Sequence, residues 1–158
     1  EGEVGELVLT TINREAMPLF RYRTRDLTRF LPGKCPCGRT HRRLDRFKGR
    51  SDDMLIVKGV NIFPIQIERI LMGFKELGMN YLITIDTVNN SDEMTVEVEV
   101  GDGINISDYR QLQNFTKEIT RQLKDEILLT PRVKLVEKGS IPQSEGKAVR
   151  VKDFRKNH

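Results

Sequence analysis

The sequence has no uninterrupted apolar run long enough to cross a bilayer and no charged-then-apolar leader, which argues against membrane insertion and secretion and makes the cytoplasm the default location. Only two cysteines are present, two residues apart, and a bridge between them is disfavoured by so short a loop and by the compartment. Histidine is as scarce: His41 lies near the cysteines and His158 ends the chain. Internal repeats and low-complexity stretches are absent. Apart from Phe20 and Tyr22 no aromatic residue interleaves with the arginines, so a stacking surface for nucleic acid is poorly supported. An initiating methionine is missing too, and the chain opens directly on the strand pattern E-G-E-V-G-E-L-V-L. The expectation is a piece of a longer protein.

What is present is enough for one ordinary core, or one core plus a smaller lobe: 158 residues, 37% of them hydrophobic. The net charge of +4 is unevenly spread, because residues 1–51 carry 12 Lys and Arg against 6 acids while the remainder carries 15 against 17. Basicity therefore belongs to the first lobe. Arg21, Arg23, Arg25, Arg29, Arg39, Arg42, Arg43, Arg46 and Arg50 read as a nucleic-acid patch, as the lining of a polyphosphate site, or as partners for acids of a neighbouring domain.

The chain turns on Gly49 to Gly59, G-R-S-D-D-M-L-I-V-K-G, where an arginine and two adjacent acids precede the apolar run Met54 to Val57. Tandem carboxylates must stay solvated or be paired, so they mark a boundary between two units, 1–51 and 52–158. Before it, L-V-L-T-T and F-R-Y-R-T predict an antiparallel strand pair, with Phe20, Tyr22 and Thr24 on one face and Arg21, Arg23 and Arg25 on the other. Beyond it, Pro64 suits the first turn of a helix with Ile67, Ile70, Leu71 and Phe74 on one side. A strand over Tyr81 to Ile85, a turn at Asn89-Asn90 and an alternating strand over Glu93 to Val100 follow. Ser107 or Asp108 can cap a helix reaching about Leu128, stopped by Pro131, with strands at Arg132 to Val136 and a short last element at Val149 to Phe154. The fold class expected is α+β: a small antiparallel β lobe, then a compact sandwich with its helices on one face.

Several side chains read two ways. Asp26 ends a strand-like run beside arginines and suits either a turn or a pair of hydrogen bonds from a vicinal diol. Arg50 can pair with Asp52 or Asp53 at the surface, which contributes little. Lys147, in I-P-Q-S-E-G-K, sits in an exposed, sharply turned loop where most lysines only aid solubility. Cys35, Cys37 and His41 form C-x-C-x3-H, tighter than the usual zinc spacing and one ligand short, so structural zinc and a reduced thiol pair weigh equally.

R-S-D-D followed by an apolar strand, a Gly and P-x-x-I-E resembles the hinge motif of the adenylate-forming acyl-CoA synthetases. In the same order, G-E-L-V-L-T-T resembles that family's strand motif, Y-R-T-R-D its ribose-binding motif and P-Q-S-E-G-K its C-terminal lysine loop. With C-P-C-G-R-T-H in between, the chain is similar to the C-terminal part of the phenylacetate-coenzyme A ligase family over almost its whole length. The resemblance implies that Asp26 and Arg50 hold the ribose of ATP and of the acyl-adenylate, that Asp52 is the hinge, and that Gly59 lines the pantetheine channel. Lys147 would be the catalytic cation. The family carries Gly where this chain has Arg25 before the aspartate.

The resemblance also implies ATP with Mg and coenzyme A as cosubstrates, an aryl acid as substrate, and residues 1–51 as the end of a larger N-terminal domain of the same chain. Open sheet edges in 1–51 favour association with that domain or with a second copy in a homodimer. A carrier-protein-loading adenylation domain shares these motifs, and a basic nucleic-acid-binding module is the reading from another class. The resemblance argues against the latter.

Overall fold

The structure, a computed structural model, describes residues 2–101, 109–142 and 149–157. The chain divides into two compact units, Glu1–Met54 and Leu55–His158, and together they make an α+β protein.

In the first unit, β1 (Gly5–Leu9), β2 (Tyr22–Thr28) and β5 (Gly49–Arg50) form a three-stranded antiparallel sheet, while β3 (Phe30–Leu31) and β4 (Arg43–Leu44) pair separately. The expected strand pair is present, but its second member starts later and runs on past Asp26. The simple alternation of aromatic and arginine faces fails for a physical reason. Arg21 and Arg25 have positive φ, 48° and 69°, and the register slips between Glu6, opposite Leu27, and Val8, opposite Arg23. Three residues of β2 thus face Leu7, and this bulge twists the strand and redirects its side chains. Thr24 Oγ1 closes it by donating to the Leu7 carbonyl at 3.1 Å and accepting the Asp26 N–H at 3.1 Å.

The first unit has no fully buried apolar side chain among its described residues. Ile12 (93% exposed), Phe20 and Met17 stand in the open, and Thr28 alone is fully buried.

The second unit opens with a hairpin, β6 (Leu55–Val57) and β7 (Val60–Ile62), turned by Lys58 and Gly59 at φ 50° and 77°. Positive φ at both central residues is the geometry of a two-residue hairpin turn whose twist matches its strands. The apolar run expected to form one buried strand is therefore half of a hairpin. Val57 is buried, but Ile56 is half exposed because successive side chains alternate in direction.

Helix α1 (Pro64–Leu71) starts on Pro64 as expected, and the Gln66 side chain accepts the Phe63 N–H at 2.9 Å, satisfying a donor that the helix leaves free. The long strands β8 (Leu77–Val88) and β9 (Ser91–Val100) pair antiparallel through the Asn89-Asn90 turn. β8 begins four residues earlier than its alternation suggests, because a register irregularity between Leu77 and Tyr81 hides the period. After α2 (Tyr109–Ile127), β10 (Arg132–Val136) lies parallel to β9, and β11 (Val151–Asp153) lies parallel to β8. The sheet order is β10-β9-β8-β11, and a 3-10 turn, Phe154–Asn157, follows. The short element expected at Val149 to Phe154 is thus a strand of the main sheet, Val151–Asp153. The helix caps expected at Ser107 or Asp108 lie outside the described residues.

One face of this sheet, carrying Tyr81, Ile83, Ile85, Met94, Val96 and Val98, packs with Ile67 and Leu71 of α1 and Ile119, Leu123 and Ile127 of α2 into a single core. Phe74 and Phe115 meet edge to face at 5.4 Å where the helices approach. Among the described residues no helix is long and apolar enough to cross a membrane. Ile83→Ala is expected to destabilise the second unit by about 2–5 kcal/mol, and Ile56→Ala by no more than about 0.5 kcal/mol. Urea denaturation of both variants checks the contrast, and equal losses would refute this account of the core.

Candidate nucleotide and hinge site

Cross-strand pairing of β2 with β5 sets Asp26 directly opposite Arg50. The guanidinium then reaches three carboxylates. It grips Asp52 in a fork, Nε to Oδ1 at 3.1 Å and Nη2 to Oδ2 at 2.9 Å, and stands 3.5 Å from Asp26 Oδ1 and 3.7 Å from Asp53 Oδ2. The hydrogen bonds from Arg50 hold the Asp52 carboxyl below the usual carboxylate range, and Asp52 in turn raises the Arg50 guanidinium.

Arg50 and all three acids are between 30% and 58% exposed, so water screens every pair and none contributes much to stability. Such a cluster can exchange partners at little cost. It offers one cation and three carboxylates, one of which, Asp26, projects from a bulge beside the arginine, where a diol can donate to it.

The backbone under Asp26 is held by the Ser51 N–H donating to the Arg25 carbonyl at 2.7 Å. Arg25 at φ 69° occupies the left-handed region that favours glycine.

The other arginines of the basic lobe are less available than their number suggests. Arg23 forks onto Glu6 at 2.6 and 2.9 Å and holds that carboxyl below its ordinary range, Arg29 bonds Asp45 at 2.8 Å, and Arg43 donates to the Pro32 carbonyl. These contacts weaken the nucleic-acid reading.

Cys35 and Cys37 come together, sulfur to sulfur at 2.8 Å, as free thiols. The hydrogen bond from Cys35 and a backbone N–H pull the Cys37 thiol below its ordinary value. His41 does not join them: among the described residues no group of three or more His, Cys, Asp or Glu is close enough to hold a metal ion. The three residues do not by themselves fit a zinc site.

In the second unit Gly59 is the second residue of the β6–β7 turn. A Cβ there would meet nothing within 4 Å, so backbone conformation, not crowding, calls for glycine. Lys147 lies outside the described residues; Pro142 precedes and Val149 follows that segment. The structure also shows polar contacts that the pattern did not suggest. Glu99, only 2% exposed, accepts the Ile141 N–H at 3.1 Å and the Asn80 side-chain amide at 3.0 Å. Arg150 donates to Glu68 and to the Tyr81 hydroxyl, and its guanidinium lies 4.7 Å over the Tyr81 ring. Glu99 falls in the polar phase of the alternation with Thr95 and Glu97, so its burial was not legible. Arg150, three residues after Lys147, was within reach of a closer reading.

A family model described as the AMP-binding enzyme C-terminal domain matches residues 59–155, more than half of the chain. The chain belongs to this family. Over 155 residues it is 43% identical to the phenylacetate-coenzyme A ligase of Escherichia coli, covering 98% of this chain and 35% of that protein. A solved domain of phenylacetate-coenzyme A ligase from Bacteroides vulgatus is 66% identical, with 65% of this chain and 93% of that one covered and a TM-score of 0.61. A 2-hydroxyisobutyryl-CoA ligase, solved in the postadenylation state in complex with R3-HIB-AMP, superposes on 99% of this chain and 33% of its own at 31% identity and a TM-score of 0.84. The chain spans little more than a third of the length of the curated relatives it matches.

For a residue with a Cβ, the left-handed conformation of Arg25 costs on the order of 1–2 kcal/mol. Arg25→Gly should therefore strengthen protection of the Ser51 amide in hydrogen exchange, and Arg25→Val should weaken it. The opposite order would remove the argument from strain.

Proposed function

We propose that this chain is the C-terminal part of an ATP-dependent aryl-CoA ligase of the phenylacetate type. The parent enzyme joins the acid to ATP, forming acyl-AMP and diphosphate, and then passes the acyl group to the thiol of coenzyme A, releasing AMP. The observation that carries the reading is the match to phenylacetate-coenzyme A ligases over 98% of this chain. The bulged Asp26 beside Arg50, in a cluster containing Asp52, supports the roles read from the sequence.

In that reading Asp26 accepts the two ribose hydroxyls, and Arg50, released from one carboxylate, reaches the same ribose. Lys147 bridges the attacking carboxylate and the α-phosphate as negative charge builds between them, stabilising the transition state electrostatically. The change of unit falls at Met54/Leu55, two residues beyond Asp52, which suits a hinge whose side chain stays solvated while its φ and ψ change. The two-residue turn at Gly59 presents backbone without a side chain, as close approach of a pantetheine requires. Residues 1–51, with exposed apolar side chains, form the end of the larger N-terminal domain. ATP enters with Mg, and ATP and coenzyme A as cosubstrates place the parent in the cytoplasm.

Two measurements test this on the parent enzyme. Lys147→Ala should lower acyl-AMP formation, read as diphosphate release, by roughly 10²–10³-fold, yet still convert supplied acyl-adenylate and coenzyme A to thioester. Asp52→Pro should do the reverse, because a fixed φ holds one orientation of the hinge. Equal loss of both half-reactions in a folded Lys147→Ala protein would defeat the alternation.

For the thiols, we assign Cys35 and Cys37 as two donors of a zinc site completed elsewhere in the parent. Elemental analysis should find zinc in the parent, lost on Cys35→Ser, and none in stoichiometric amount in this chain alone. A parent without zinc would leave a reduced thiol pair.

A further inference from the structure

Gly59 stands at the tip of a hairpin whose strands, β6 and β7, have three residues each. The inward side chains are secure, since Val57 and Ile62 are fully buried in the core of the second unit. Ile56, Lys58 and Gly59 are exposed, and Lys58 borders a cavity of about 340 Å³ that Asp92, Glu93 and Arg132 also line. Apolar packing therefore restrains only one side of the hairpin.

The other side is tied by Arg155, from the 3-10 turn that follows β11. Its Nη1 donates to the Ile56 carbonyl of β6 at 2.7 Å and to Asp92 Oδ2 of β9 at 2.6 Å. Nε and Nη2 fork onto Asp153 of β11 at 2.9 and 2.8 Å, and the Arg155 backbone N–H donates to the same carboxylate at 3.1 Å. The Ile56 carbonyl is available because hairpin pairing alternates. Val57 and Val60 flank the two-residue turn as the hydrogen-bonded pair, so Ile56, opposite Asn61, directs its backbone groups away from β7. The Arg155, Asp92 and Asp153 side chains are 13% to 26% exposed, and water screens them less than it screens the Arg50 cluster. One guanidinium thus joins the edge of the hairpin to the two strands that flank β8. A junction of this kind needs several donors in a fixed plane, which arginine has and lysine lacks.

Resting on the ligase reading above, we infer that Arg155 is a positioning residue for the Gly59 turn, holding in place the backbone that faces the pantetheine. A channel wall that aligns a thiol with its acyl group must be held to within a fraction of an ångström, and a misplacement of about 1 Å can cost 10²-fold. Arg155 supplies that restraint through the Ile56 carbonyl, three residues before Gly59. Its loss therefore acts on the half-reaction that uses coenzyme A and spares the one that uses ATP.

The test uses the full-length parent. Arg155→Met should lower thioester formation from supplied acyl-adenylate and coenzyme A by roughly 10- to 100-fold, while diphosphate release from acid and ATP stays near the parent's rate. In hydrogen exchange of the same variant the Val60 amide, at the pair that closes the turn, should exchange several-fold faster, with the amides of β8 and β9 unchanged. Half-reactions that fall by the same factor, thioester formation at the parent's rate, or an unaltered Val60 amide each overturn the inference. If Arg155→Met fails to fold, Arg155→Lys carries the test: it keeps the charge but cannot fork Asp153 while reaching Ile56, and an unaltered ratio of half-reactions overturns the inference. Gly59→Leu, which sets a side chain in the channel, is run alongside. Retained thioester formation in that variant overturns the role read for the turn and this inference together; lost thioester formation there, with Arg155 dispensable, overturns the inference alone. A parent that releases no diphosphate with any aryl acid overturns the ligase reading itself and the inference with it.

Discussion

One sheet face decides the second unit. Side chains that alternate along β8 and β9 place Tyr81, Ile83, Ile85, Met94, Val96 and Val98 on the same side, and α1 and α2 cover them. Each buried aliphatic side chain contributes on the order of 1.5–3 kcal/mol relative to exposure, so removing this face from water outweighs any of the half-exposed ion pairs nearby. The helices sit where they do because Ile67 and Leu71, and Ile119, Leu123 and Ile127, recur at helical spacing and have only this face to cover. The Glu99 and Arg150 contacts are fastened to the same two central strands.

Much of this was legible in the sequence because its period was undisturbed. Met94, Val96, Val98 and Val100 announce β9, Pro64 announces the start of α1, and Asn89-Asn90 announces the turn. Legibility failed where the backbone departs from its period. The bulge in β2, with positive φ at Arg25, scrambles the faces of Tyr22 to Thr28, and the irregularity after Leu77 conceals the first residues of β8. Lys58-Gly59 turned one expected strand into a hairpin, since a lysine at positive φ gives no sign of itself in composition.

The candidate site was readable in a different way. Order and spacing of motifs marked Asp26, Arg50 and Asp52, and strand pairing set the first two opposite each other, a relation that no one-dimensional period encodes. Proximity of Cys35, Cys37 and His41 in sequence did not become proximity in space for the histidine. Glu99 was hidden for the converse reason: its phase along β9 marks it as polar, yet it is buried and accepts hydrogen bonds from Asn80 and from the Ile141 N–H, 42 residues on.

The absence of fully buried apolar side chains among the described residues of the first unit bears on how the chain resists denaturant. The denaturant sensitivity of a folding transition scales with the surface that unfolding exposes. Among the described residues every fully buried apolar side chain lies beyond Leu55, so a urea titration followed by a global probe should report chiefly the second unit, with a slope nearer that of a domain of about a hundred residues than that of the whole chain. Hydrogen exchange would show the same asymmetry as two classes of amide: those of β8, β9 and α2 opening only with that transition, and those of β1 and β2 exchanging through local fluctuations well below it.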